Sequence, residues 1–365
     1  MFDSKENYNN IITRRNFLKI AGFTSIASLN SYGQINTNTF NNYPLLDKVV
    51  ENNVVLPKAL KKGSKVAISA PASATSMGEV SKGINALKKL GCSVEISESI
   101  KKRDWGHKYL SAPDDFRAEE FMSYIKRKDI DCILTARGGF GSIRILHLLD
   151  YELIRQNPKI IIGFSDITSL LCAIYKKTNI VCFHGPVAST DFDSFTFDFF
   201  QKVLFEQKKF DPIKYKGLDL KIINQGKACG KLVGGNLTTV TSLLGTEFEI
   251  DTDNAILFLE EVSEEPYKID RMLTQLWLSG KLHRCSGIVF GYIKNLKSRR
   301  NFYPGISYSV LEVIESRLKP LGIPSVIGLP FGHSIKTMTL PIGIKAEFDT
   351  KSQTFSIIEQ SVNYF

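Results

Sequence analysis

From Lys65 onward, short apolar runs alternate with longer stretches in which apolar positions recur at helical spacing. Segments 66–70, 94–97, 132–135, 160–163 and 181–183 are strand-like and too short to stand as helices. Between them, 77–90, 114–128, 142–149 and 166–177 carry the helical pattern. Near-continuous apolar strands joined through helices are the mark of a parallel sheet covered on both faces. This pattern predicts an N-terminal doubly wound parallel-sheet domain over residues 61–190.

Residues 191–224 are dense in Phe, Lys and Asp with weaker periodicity, and read as a crossing or linker. A second, smaller α/β domain is expected over 225–365. Its strands fall at 231–233, 256–260, 287–292 and 325–327, its helices at 237–244, 267–279 and 308–318, and two closing strands at 342–348 and 354–358. No repeat of fixed period is present. Ligands of open α/β sheets bind beyond the carboxyl ends of the strands, so the cleft between the two domains is the expected site.

The first residues read as an address. Thr13-Arg14-Arg15-Asn16-Phe17-Leu18-Lys19 precedes an apolar run from Ile20 to Leu29, and the whole resembles a twin-arginine export signal. A run of that length, at about 1.5 Å per residue, is too short to anchor in a bilayer. Ser31 and Gly33 place small residues for cleavage before Gln34, and no Cys follows to carry a lipid. Residues 1–33 are therefore expected to be a signal peptide, 34–60 an Asn-rich linker, and the mature chain periplasmic.

Length and composition fit this picture. The chain has 365 residues, 43% of them hydrophobic, enough for two packed cores. No stretch approaches the roughly 18 apolar residues of a membrane span, so no stable span is expected. The formal charge of +10 is spread without a basic block interleaved with aromatics, which argues against a nucleic-acid partner and reads as an ordinary basic surface. Six cysteines with no CxxC pair and no zinc spacing read as free thiols, mostly buried, and no H-E-x-x-H pattern suggests a catalytic metal.

Chemistry concentrates at strand ends. Ser165 stands in Gly163-Phe164-Ser165-Asp166, where a buried strand turns into a helix, the geometry of a nucleophile elbow; equally, Ser165 or Asp166 would serve as a helix cap. Ile167 occupies the place of the second Gly of G-x-S-x-G, so the usual hydrolase fold is disfavoured. Ala136-Arg137-Gly138-Gly139-Phe140-Gly141 is a second glycine-rich turn after a strand, without the dinucleotide fingerprint or a P-loop Lys. Glu260 and Glu261 end an apolar strand, with Tyr267, Asp270 and Arg271 on the helix beyond. Of five histidines, His333 lies in a Gly/Pro-rich loop and is the first candidate base, His184 at a strand end the reserve, and His147 structural.

Together with Gly234-Gly235-Asn236-Leu237 and Pro266-Tyr267-Lys268-Ile269-Asp270-Arg271, these motifs resemble, in order and from about Lys65 to Phe348, those of the serine LD-carboxypeptidase family, which includes microcin-immunity peptidases. The resemblance implies Ser165 as nucleophile, His333 as general base and Glu260 as the acid orienting it. It also implies an oxyanion hole from the N–H groups of Asp166 and Gly139. It further implies removal of the terminal D-Ala from a murein tetrapeptide, no metal or cofactor, and a homodimer. Two departures stand out. Family members that recycle murein act in the cytoplasm, against the export signal here, and Glu261 stands where relatives often carry Asp. The alternatives are an exported solute-binding protein, or an esterase or amidase using the same three residues.

Overall fold

Strands β1 (Lys65–Ser69), β2 (Ser93–Ile96), β3 (Cys132–Thr135), β4 (Ile160–Gly163) and β5 (Cys182–His184) pair in parallel in the spatial order β5-β4-β3-β1-β2. The computed structural model that shows this describes residues 53–102, 109–205, 213–215, 220–291 and 307–364, all within one unit, Asn52–Phe365. The proposed signal peptide, most of the 34–60 linker, and His107 lie outside the described residues. β1, β3, β4 and β5 are almost wholly buried, as strands covered on both faces must be.

The covering helices start where side chains supply caps. Helix α1 (Met77–Lys89) opens on a capping box in which Ser76 and Glu79 satisfy each other's backbone N–H groups. Helices α2 (Glu98–Lys101), α3 (Asp114–Lys126), α4 (Tyr151–Gln156) and α5 (Thr168–Thr178) follow. The expected helix at 142–149 is a 3₁₀ segment, Ser142–Leu148, and a second one, Ser165–Ile167, leads into α5.

The expected linker at 191–224 holds regular structure instead. Helix α6 (Ser194–Leu204) begins where Asp193 Oδ1 accepts the Thr196 N–H at 2.8 Å, and it buries Phe199, Phe200, Val203 and Leu204 on one face. Strands β6 (Ile213–Tyr215) and β7 (Lys221–Asn224) come next. Residues 53–60 also dock: Val55 exchanges backbone hydrogen bonds with Asn179 and Val181, Leu60 N–H donates to Leu204 O at 2.8 Å, and Leu60 is fully buried.

The second sheet contains β8 (Lys227–Asn236), β9 (Ile256–Glu260), β10 (Gly287–Gly291), β11 (Ser325–Leu329), β13 (Lys345–Asp349) and β14 (Thr354–Ile357), with β12 (Leu340–Ile342) between β11 and β13 in the chain. Its order is β6-β14-β13-β8-β9-β10-β11-β7, with β8 to β11 parallel and the flanking strands antiparallel. Helices α7 (Leu237–Ser242), α8 (Pro266–Leu278) and α9 (Val310–Leu318) belong to this half. The expected single strand at 342–348 divides at Gly343. Its first part, β12, crosses over to pair antiparallel with β5 at the edge of the first sheet.

The two halves meet at α5 and the end of β8. Thr168 Oγ1 accepts the Asn236 N–H at 3.0 Å, and an added side chain at Gly235 would strike Thr168. That contact brings the carboxyl end of β4 beside the carboxyl ends of β8 and β9.

Candidate active site

Ser165 follows β4 at a backbone φ of 65°. The left-handed region costs a residue with a Cβ about 1–3 kcal/mol, and such strain persists only where surroundings hold it. Here Asp166, the next residue, does the holding. Its Oδ2 accepts the Ser142 N–H at 2.8 Å, and its carbonyl accepts the hydroxyls of Ser142 and Ser169. The result aims Ser165 out of the sheet while its neighbour is buried.

The glycine-rich turn after β3 closes over this serine. A Cβ on Gly138 would lie 2.7 Å from Ser165 Cβ and 3.2 Å from Asp166 N, so only glycine allows the approach. Ser73, in the loop after β1, fixes the turn by accepting the Phe140 N–H at 3.0 Å. Beneath it, the fully buried Arg117 donates to the carbonyls of Ala112, Pro71 and Gly141 and pairs with Asp114. The Gly139 N–H, exposed on the turn, donates to no protein acceptor among the described residues.

Glu260 ends β9 and is only 3% exposed. Its Oε2 lies 2.7 Å from His333 Nδ1 and also accepts the His333 backbone N–H at 3.3 Å. Gly332 makes this possible: at φ 72°, its missing Cβ would otherwise sit 2.4 Å from Glu260 Cγ. A carboxylate acceptor at Nδ1 places the ring proton there and leaves Nε2 as a base. Burial pulls the His333 pKa down, but the hydrogen bond and charge of Glu260, with Glu261 behind, outweigh it and hold the ring above an ordinary histidine. Burial pushes Glu260 up, and His333 more than offsets this, so the carboxyl stays ionised. The Phe164 ring packs edge-on against the imidazole, centroids 4.9 Å apart.

Ser165 and His333 line one cleft of about 570 Å³ together with Gly138, Gly139, Arg137 and Glu79. Ser165 Oγ makes no hydrogen bond among the described residues, His333 included. Such contacts often tighten only when substrate is seated. A carboxylate-oriented imidazole and a half-buried, strained serine in one cleft are the ingredients of acyl transfer.

Comparison with known proteins decides the family. Residues 66–185 match the LD-carboxypeptidase N-terminal domain and residues 229–348 its C-terminal domain. The chain belongs to the LD-carboxypeptidase family. It is 38% identical over 311 residues to the probable murein peptide carboxypeptidase of Bacillus subtilis, covering 84% of this chain and 95% of that one. To the microcin C7 self-immunity protein MccF of Escherichia coli it is 29% identical over 345 residues, 86% of this chain and 98% of that one. Its structure matches the muramoyltetrapeptide carboxypeptidase of Oxalobacter formigenes with a TM-score of 0.69 and 29% identity, over 80% of this chain and 97% of that one.

As a serine-type LD-carboxypeptidase the chain is an enzyme, which sets aside the solute-binding alternative. Its remaining candidates fall away from the cleft. Glu261 turns to the start of α7, accepting the Thr238 N–H at 2.9 Å and a proton of the Asn236 amide at 3.2 Å. His184 is fully buried among Phe164, Phe258 and Phe331, and burial lowers its pKa to about 4, so it stays neutral. His147 is exposed. Tyr267, Asp270 and Arg271 line a separate depression, where Asp270 pairs with Arg317 at 2.7 Å. Cys229 is exposed and the other five cysteines are buried, all of them free. Among the described residues no cluster of His, Cys, Asp or Glu is arranged for a metal, and no helix is long and apolar enough to cross a membrane.

Sequence reading missed Ser142, which joins the two turns, and Ser73 and Arg117, which tie the glycine turn to the loop after β1. A buried arginine on a helix gives no local signal, because the carbonyls it serves come from three separate loops.

Proposed function

We propose that this LD-carboxypeptidase removes the terminal D-Ala from murein tetrapeptides, with Ser165 as nucleophile, His333 as base and Glu260 orienting His333. The observation that carries the reading is the pair of buried Glu260 and half-buried His333, 2.7 Å apart, opening onto the cleft that holds a serine at φ 65°. His333 Nε2 takes the Ser165 proton as Oγ attacks the carbonyl carbon. The resulting imidazolium sits beside an ionised carboxylate, and the N–H groups of Asp166 and Gly139 receive the oxyanion. His333 then returns the proton to the leaving amine, freeing D-Ala and an acyl-Ser165. A water, deprotonated by His333, hydrolyses that ester and restores the serine. The names of the Bacillus subtilis and Oxalobacter formigenes relatives support a murein peptide as substrate.

The test is mass-spectrometric detection of tripeptide and free D-Ala from purified tetrapeptide, with wild type and Ser165→Ala in parallel. Product from wild type alone is expected. No product from folded wild type would move the reading to another amide or ester.

We also propose that the enzyme is exported to the periplasm in folded form, on the strength of Arg14-Arg15 and the short apolar run after it. Replacing both arginines by lysine should leave full-length protein in the cytoplasm, whereas the native chain is recovered outside and shortened. Native protein kept inside at full length would refute export.

A further inference from the structure

We infer that Arg137 anchors the substrate's terminal carboxylate and so restricts the cleft to peptides ending in a free acid. The inference rests on the carboxypeptidase reading above and names the group that makes the enzyme cut only at a chain end. An exopeptidase must recognise the end it removes, and a free carboxylate is best held by a guanidinium presenting two parallel N–H donors.

Two cations line the cleft, Lys82 and Arg137, against one carboxylate, Glu79. Lys82 is occupied, its Nζ lying 2.6 Å from Asp191 Oδ1. Arg137 is tethered on one side only. Its Nη1 reaches Ala74 O at 3.4 Å and Glu79 Oε1 at 3.7 Å, while Nε and Nη2 donate to no protein acceptor among the described residues. That leaves the two-donor edge available.

Glu79 does not compete strongly for it. Its Oε2 is committed to the α1 cap, accepting the Ser76 N–H at 2.8 Å and the Thr75 hydroxyl at 3.0 Å. The remaining oxygen holds the guanidinium by its far corner. Position fits as well. In a terminal D-amino acid the carboxylate carbon is two bonds from the scissile nitrogen, so its anchor must be rooted close to the nucleophile. Arg137 is bonded to Gly138, which packs directly on Ser165.

The experiment compares kcat/KM for a tetrapeptide ending in free D-Ala and the same peptide ending in D-alaninamide. Wild type should prefer the acid by about 100-fold or more, the scale of losing one desolvated charge pair. Arg137→Ala should lose that factor on the acid and bring the two substrates close to parity. Arg137→Lys should restore part of the preference, and Lys82→Ala should keep it. Thermal melts of each variant monitor folding. If Arg137→Ala still prefers the acid, or slows both substrates equally, the inference fails while the carboxypeptidase reading stands. If wild type releases D-Ala or its amide from neither peptide, both fail together.

Discussion

At the scale of single residues, the site sets protonation against stability. Because His333 is raised above 6.5 in the fold, its contribution to stability is fully present below the unfolded pKa and is lost as pH rises through the folded one. Glu260 runs the other way: held below 4.5, it stabilises above that value and fails as pH falls through its folded pKa. The pair is strongest between the two, where the imidazole is still charged and cannot accept a proton. A pH profile of kcat/KM should therefore show an acid limb with its midpoint above 6.5. Glu260→Gln should move that limb to lower pH and reduce the plateau by about 10³–10⁴-fold, as expected when the orienting acid is removed. An unmoved limb would separate Glu260 from the base. Ser165→Ala should lower kcat by at least about 10³-fold while substrate binding remains measurable by calorimetry. Ser165, Glu260 and His333 were legible as strand-end and loop residues, because polar side chains after fully apolar strands stand out in a linear pattern. That Glu260, rather than Glu261, is the carboxylate beside His333 followed from the family resemblance and not from the strand pattern, which left the two open. Adjacent residues on a strand point to opposite faces, and only the three-dimensional neighbours decide which face is the cleft.

Elements explain how two turns from different strands stay in register. The turn after β3 and the turn after β4 share no backbone ladder beyond their strands, so Ser142 and Asp166 connect them, while Arg117 ties the turn after β3 to the loop after β1 and to the start of α3. Arg117 is the larger investment, since a guanidinium with no solvent exposure must find partners for its donors. Arg117→Met should destabilise the fold by about 3–5 kcal/mol in urea unfolding, leaving buried carbonyls of Pro71 and Gly141 without their donor. It should also reduce kcat in the fraction that remains folded; full activity would mean that the glycine turn holds itself. Strand positions of the first sheet were readable almost to the residue, because short β-branched runs between helices admit few other readings. Helix α6 was hidden for the opposite reason. Phe195, Phe197 and Phe199 alternate at its start and masked the helical spacing of Phe199, Phe200, Val203 and Leu204, so its identity is plain only with the Asp193 cap and the burial of that face.

For the whole molecule, the division into two sheets is also the division of the chemistry. Ser165 and the glycine turn belong to the first sheet, Glu260 and His333 to the second half, and β12 returns from the second half to the edge of the first. That crossing could not be read from the sequence, since period-two alternation identifies a strand but not the sheet it joins. Catalysis then requires that the halves hold one relative position, and the contact between Thr168 Oγ1 and the Asn236 N–H is one of the buried polar links across them, beside that of Thr196 Oγ1 with the Thr337 N–H. Thr168→Val keeps the shape and removes the acceptor, leaving a buried N–H unpaired at a cost of about 1–3 kcal/mol. If the link only stabilises, activity of the folded variant should match wild type at a temperature well below both melting points. If it sets the relative position of the halves, kcat should fall there with KM little changed, since a misplacement of about 1 Å between reacting groups costs about 100-fold. We expect the second result. The Glu260–His333 pair lies wholly within the second half, so the acid limb of the pH profile should stay where it was.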